Sequence, residues 1–124
     1  MARQRPKNLN LLTIRLPLPA LVSIMHRISG ALLFLSIPLW LFLLWLTVGD
    51  DSMFQLAQRL LHFSLVKLLL IALAWAFIHH ACAGIRHLAL DAHFCLRLRY
   101  ARATSMMVLV LTGLLVISFA VAIW

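Results

Sequence analysis

Long uninterrupted apolar stretches dominate the hydrophobicity pattern of this chain. Residues 28–48, 68–85 and 103–124 contain no Asp, Glu, Lys or Arg. A membrane-spanning helix needs about 20 predominantly apolar residues, and the first and third stretches reach that length unaided. The middle stretch reaches it when it is extended across Lys67, whose long side chain can extend to the membrane interface. The pattern predicts a single transmembrane domain over residues 1–124. Its three spans are expected at about 24–48, 61–89 and 103–124.

The composition supports a membrane location. Apolar residues make up 65% of the chain and charged residues 11%. Soluble domains are usually about half apolar and a quarter charged, and disordered chains are far more polar. Both classes are therefore excluded. Within lipid the backbone must satisfy its own hydrogen bonds, and the chain is too short for a barrel. We predict an all-α integral membrane fold, with a kink at Pro38 and an extended approach through Pro6, Pro17 and Pro19.

The distribution of charge predicts the orientation in the membrane. Eleven Lys and Arg against three Asp and Glu give a net charge of +8. The basic residues concentrate before the first span and between the second and third, which predicts a cytoplasmic N-terminus. They are Arg3, Arg5, Lys7 and Arg15, then Arg86, Arg97, Arg99 and Arg102. This orientation accounts for the cations, so no nucleic-acid partner is expected. Cys82 and Cys95 form neither a zinc motif nor a c-type haem motif. With no signal or transit peptide evident, we expect a multi-pass protein of a bacterial inner membrane.

Polar residues cluster where the first span begins. Ser23, His26, Arg27 and Gly30 follow i, i+3, i+4, i+7 spacing and therefore share one helical face. One interpretation is a helix-starting Ser with an Arg that extends to the interface. The other is a cationic, hydrogen-bonding corner for a carboxylate or a polar ring. Spacing alone leaves both open.

A second polar stripe lies within the middle span. His80, Gly84 and His87 share a face, whereas His79 points about 100° away. Close helix packing is one interpretation, but ionisable groups within a span are costly and usually functional. Counting depth from Ser23 and Asp91, His26 would lie about 5 Å deep and His80 about 16 Å deep. If His80 ligates a haem iron, His26 is too shallow to be the opposite ligand, and His26 and Arg27 would instead meet the haem propionates. A second axial His would come from a partner chain or a second copy, unless the haem is five-coordinate.

Two motifs resemble those of a known family. Residues 23–30 (SIMHRISG) resemble the first signature of the cytochrome b membrane-anchor subunits of succinate dehydrogenase, in respiratory complex II. Residues 80–88 (HACAGIRHL), with Asp91 after them, are similar to the second signature. Arg5-Pro6 and Leu16-Pro17 extend the first match. The order, spacing and three-span layout cover nearly the whole chain.

The resemblance implies a role for each matching residue. His80 is the axial ligand of haem b, and His26 and Arg27 approach the haem propionates. Ser23 and Arg27 contribute to the ubiquinone pocket. A second small anchor subunit supplies the other axial His of a haem shared within a helical bundle. Further partners are an iron–sulfur subunit and a flavoprotein subunit, which oxidise succinate, so no catalytic residue for that step is expected here.

The implied function is membrane anchoring and electron transfer in succinate:ubiquinone oxidoreductase, within the tricarboxylic acid cycle and the respiratory chain. Asp91 is a candidate for proton uptake from the cytoplasm, although an ion pair with Arg86 or His87 is an equally good interpretation. The alternatives are a haem-free anchor or the anchor of a related quinol:fumarate reductase. A transporter or channel subunit is disfavoured because the chain lacks paired repeats.

Overall fold

The computed structural model describes residues 16–94 and 97–124. The basic flank at Arg3, Arg5, Lys7 and Arg15, together with Pro6 and Cys95, lies outside the described residues. The described parts form four helices, which are α1 (Leu18–Val48), α2 (Asp51–His62), α3 (Ser64–Asp91) and α4 (Leu98–Ile123). Helices α1, α3 and α4 are long and apolar enough to cross a membrane, which confirms the three predicted transmembrane helices. Each of these three packs against the other two.

Helix α1 begins six residues earlier than the apolar pattern predicts. Pro17 takes an extended conformation and precedes the first helical residue, Leu18. Pro19 then occupies the first turn of α1. A backbone N–H there has no intrahelical acceptor, so the N–H that proline lacks costs no hydrogen bond. Pro38 lies inside α1, and the helix continues on both sides of it. The extended approach is therefore correct for Pro17 and wrong for Pro19.

Helix α2 was not predicted from the sequence. The Asp50 carboxylate caps it by accepting hydrogen bonds from Ser52 Oγ at 2.7 Å and Met53 N at 3.0 Å. The Ser52 bond, then the Met53 bond, holds the pKa of Asp50 below its usual value. Within α2, Ala57 is buried on the face that packs against α1 and α3. An extended residue, Phe63, separates α2 from α3. The second span therefore begins at Ser64 rather than near residue 61.

The three spanning helices meet through small or β-branched side chains and one buried guanidinium. Val22, Ala83 and Val108 come from α1, α3 and α4 respectively and pack together. Arg86 is 7% exposed and is directed towards α4. Its Nε donates to Thr104 Oγ1 at 3.2 Å, and its Nη2 donates to the Ala101 carbonyl at 3.3 Å. Most large apolar side chains on the outer faces are exposed, as expected where lipid or other membrane subunits cover them.

Candidate functional site

Three histidine rings lie together between α1 and α3. The rings of His26 and His80 stack with centroids 4.1 Å apart and planes 10° from parallel. The ring of His87 lies 5.1 Å from that of His26 at a tilt of 52°. We call His26, His80 and His87, with Ser29 beside them, the histidine cluster. The structure thus brings the two polar stripes of the sequence into contact.

The hydrogen bonds of His80 determine which ring nitrogen is protonated. Its Nδ1 lies 3.1 Å from the carbonyl oxygen of His26. A carbonyl only accepts, so Nδ1 carries the proton and donates it. The second nitrogen, Nε2, then keeps its lone pair. An imidazole held in this way by a backbone carbonyl is the usual arrangement of a histidine that binds a metal through its other nitrogen.

Ser29 completes the hydrogen bonding around this carbonyl. Its side chain is fully buried, and Oγ donates to the same His26 carbonyl at 2.9 Å. Oγ also lies 3.4 Å from His80 Nδ1. The sequence analysis included Ser29 in the first signature but gave it no role. Its position three residues after His26 could have indicated this contact, because a Ser in a helix commonly donates to the carbonyl one turn before it.

One of the two glycines beside the cluster, Gly30, provides space that the cluster needs. A Cβ on Gly30 would lie 2.8 Å from His80 Cε1 and 3.2 Å from its Nδ1. A Cβ on Gly84 would lie 3.4 Å from His26 Nε2, which is an ordinary contact. The absence of a side chain at Gly30 is therefore what allows the His80 ring to approach α1 so closely.

His79 lies apart from the cluster, as its predicted angular offset requires. It is fully buried and stacks on Trp75, with ring centroids 5.6 Å apart and planes 14° from parallel. Within residues 16–94 and 97–124, neither of its ring nitrogens has a hydrogen-bond partner. His79 therefore packs as a flat side chain and does not share the environment of His80.

The predicted difference in depth between His26 and His80 is wrong. Their stacked rings lie at the same level. The error came from counting depth in α1 from Ser23, whereas the helix begins at Leu18. At 1.5 Å per residue, His26 lies about 12 Å along α1 and His80 about 16 Å from the end of α3 at Asp91. Because α1 and α3 are consecutive spans and cross in opposite directions, these two positions meet.

The other predicted site residues lie within one helical turn, along the chain, of a residue of the cluster. Ser23 is half-buried one turn before the exposed Arg27, and Arg27 follows His26 directly. Asp91 is exposed at the end of α3, one turn beyond His87. The guanidinium of Arg86 donates to α4, at Thr104 Oγ1 and the Ala101 carbonyl.

The cluster does not resemble a site for a bare metal ion. In the described part of the chain, no group of three or more His, Cys, Asp or Glu side chains is arranged to hold one. The geometry instead offers a single oriented imidazole, His80, with a cation and a hydroxyl nearby. Such a set suits a metal that is already held within a larger group and needs one protein ligand from this chain.

Comparison with known proteins identifies the family of the chain. Residues 1–119 match the sequence model of a family described as succinate dehydrogenase/fumarate reductase transmembrane subunit. The chain is 38% identical to the succinate dehydrogenase cytochrome b556 subunit of Coxiella burnetii over the full length of both chains. It is 36% identical to the subunit of that name from Paracoccus denitrificans, over 82% of this chain and 78% of that protein. The Rickettsia felis subunit is 30% identical over 90% of this chain and 87% of its own length. The chain therefore belongs to the family of succinate dehydrogenase/fumarate reductase transmembrane subunits and is a cytochrome b membrane anchor within it.

Proposed function

We propose that this chain anchors succinate:ubiquinone oxidoreductase in a bacterial inner membrane, binds haem b together with a second anchor subunit, and forms part of the quinone-reduction site. The observation that carries the proposal is the hydrogen bond from His80 Nδ1 to the His26 carbonyl. It leaves Nε2 as the free nitrogen of an oriented imidazole in a spanning helix, where an ionisable side chain is costly unless it has a function.

The residues present fit haem b. His80 would hold the haem iron, and the close approach at Gly30 keeps its ring against α1. His26 and the exposed Arg27 provide a hydrogen-bond donor and a cation for the propionate carboxylates. When bound, haem b supplies a one-electron carrier within the membrane. We assign the second histidine that would hold the iron to a small partner anchor subunit, since His80 is the one ligand proposed from this chain.

The quinone site is assigned to the cytoplasmic end of α1. The Ser23 hydroxyl is half-buried and can donate a hydrogen bond to a quinone carbonyl. Arg27, one turn away on the same face, stabilises the negative charge that develops on that oxygen during reduction. Reduction also consumes protons, and Asp91 is an exposed carboxylate at the end of α3, on the same predicted side. We assign it to proton uptake from the cytoplasm.

The remaining chemistry belongs to soluble partners. The chain carries two cysteines, fewer than the four that hold a standard iron–sulfur cluster. We assign succinate oxidation to a flavoprotein subunit and electron delivery to an iron–sulfur subunit. This chain then supplies their membrane attachment and residues that would hold the haem and the quinone, which accept the electrons.

The test is a reduced-minus-oxidised visible spectrum of the detergent-purified complex, recorded for the wild type and for His80→Ala. The matched control is His62→Ala, since His62 is an exposed histidine at the end of α2. We expect a b-type signal in the wild type and in His62→Ala. In His80→Ala the signal should be lost while the partner subunits still co-purify.

Two results would contradict the proposal. A wild-type complex without a b-type signal would make the chain a haem-free anchor. A signal that survives in His80→Ala would move the axial ligand to another residue, and His79→Ala would be the next variant to record.

A further inference from the structure

We infer that Ser29 is a positioning residue for His80, and that its hydroxyl weakens the hydrogen bond by which the His26 carbonyl holds His80. The inference rests on the proposed function, because its readout requires haem bound at His80. It concerns a residue that donates to the carbonyl holding His80 and that the proposed function does not use.

The geometry gives the His26 carbonyl two side-chain donors. Ser29 Oγ donates to it at 2.9 Å, and His80 Nδ1 donates at 3.1 Å. As a residue inside α1, His26 also has its carbonyl in the backbone ladder of the helix. A carbonyl oxygen has two lone pairs, so each additional donor reduces what the oxygen offers to the others. The shorter Ser29 bond therefore limits the strength of the His80 bond.

Burial makes this competition permanent. Ser29 is fully buried, so water does not replace its hydroxyl or offer it another partner. Among residues 16–94 and 97–124, the other polar contact of Oγ is with His80 Nδ1 at 3.4 Å, which is too long for a strong bond. Because Oγ lies 2.9 Å from the His26 carbonyl oxygen but 3.4 Å from His80 Nδ1, the hydroxyl acts mainly on the carbonyl rather than on the imidazole.

The strength of the Nδ1 bond determines how strongly His80 donates electrons through Nε2. A stronger bond from Nδ1–H to an acceptor increases the basicity of the ring and stabilises the oxidised metal. By weakening that bond, Ser29 raises the reduction potential of a haem ligated by His80. Removing the hydroxyl should shift the potential downwards.

The experiment is a potentiometric titration of the haem absorbance in the complete purified complex. Ser29→Ala removes the hydroxyl, and Ser29→Thr keeps one at the same position. Ser36→Ala is the matched control, because Ser36 is also buried in α1 and donates to the carbonyl three residues before it, Leu33, at 2.7 Å. Its other contact is Trp40 Nε1 rather than a histidine. We expect a lower midpoint potential in Ser29→Ala and wild-type values in the other two variants.

Each other outcome has a defined meaning. An unchanged potential in Ser29→Ala with bound haem overturns the inference, and so does an equal shift in Ser36→Ala or Ser29→Thr. If the Ser29→Ala complex loses its haem, the Ser29→Thr complex tests the inference instead. A wild-type spectrum and potential there support the role of the hydroxyl, and haem loss there overturns it. A wild-type complex without haem refutes the proposed function instead, so the two failures are distinguishable.

Discussion

Replacing Gly30 with alanine should displace the ring of His80. The new Cβ would lie 2.8 Å from His80 Cε1, whereas ordinary contacts begin at 3.4 Å, so the ring must retreat by about 0.6 Å. A retreat of that size away from α1 stretches the 3.1 Å bond from Nδ1 to the His26 carbonyl beyond hydrogen-bond distance. Overpacking of this kind costs about 1–3 kcal/mol. If the haem-bound state bears that cost, haem affinity falls by about 5- to 150-fold.

The three glycines that lie inside helices, Gly30, Gly84 and Gly113, differ in how closely an added Cβ would approach its neighbours, so they form a graded series for this measurement. Gly84→Ala places its Cβ 3.4 Å from His26 Nε2, an ordinary contact, and Gly113→Ala places its Cβ where no heavy atom lies within 4 Å. All three substitutions gain about 1 kcal/mol of helix propensity, so that contribution cancels between them. Haem content per complex, and the rate of haem loss to a haem-scavenging protein, should therefore change strongly only in Gly30→Ala. Haem retention in Gly30→Ala equal to that in Gly113→Ala would refute the close packing of His80 against Gly30.

Two further predictions concern the C-terminal end of α3. Asp91→Asn removes the exposed carboxylate assigned to proton uptake, so quinone reduction should slow by about tenfold or more while haem content stays constant. Unchanged turnover in a steady-state quinone-reductase assay would remove that role. Arg86→Met removes the bonds to Thr104 Oγ1 and the Ala101 carbonyl, which should destabilise the α3–α4 contact by about 1 kcal/mol, at roughly 0.6 kcal/mol per interhelical bond in a membrane. Thermal unfolding of the complex measures this, and an unchanged midpoint would show that the two bonds are not stabilising.

The fourth helix shows where sequence reasoning was incomplete. A search for apolar stretches treats residues between spans as loop, and α2 contains Asp51, Arg59 and His62. Its signals were local and present, namely a capping Asp50 and apolar residues at helical spacing. Helix α4 begins at Leu98 rather than at the predicted residue 103 for the same reason. Arg99 and Arg102 interrupt the apolar stretch but not the helix.

The sequence by itself determined the three spanning helices, because the length and polarity of each span are properties of contiguous residues. It also identified His80 as the candidate ligand and His26 as its neighbour in function, from spacing and from the two signatures. It did not determine how α1 and α3 align along the membrane normal. That alignment stacks His26 on His80 and places both Ser29 Oγ and His80 Nδ1 on one carbonyl. Only the packing of the helices decides this alignment. Two helices approach closely where a small residue such as Gly30 leaves room for a side chain of the other helix.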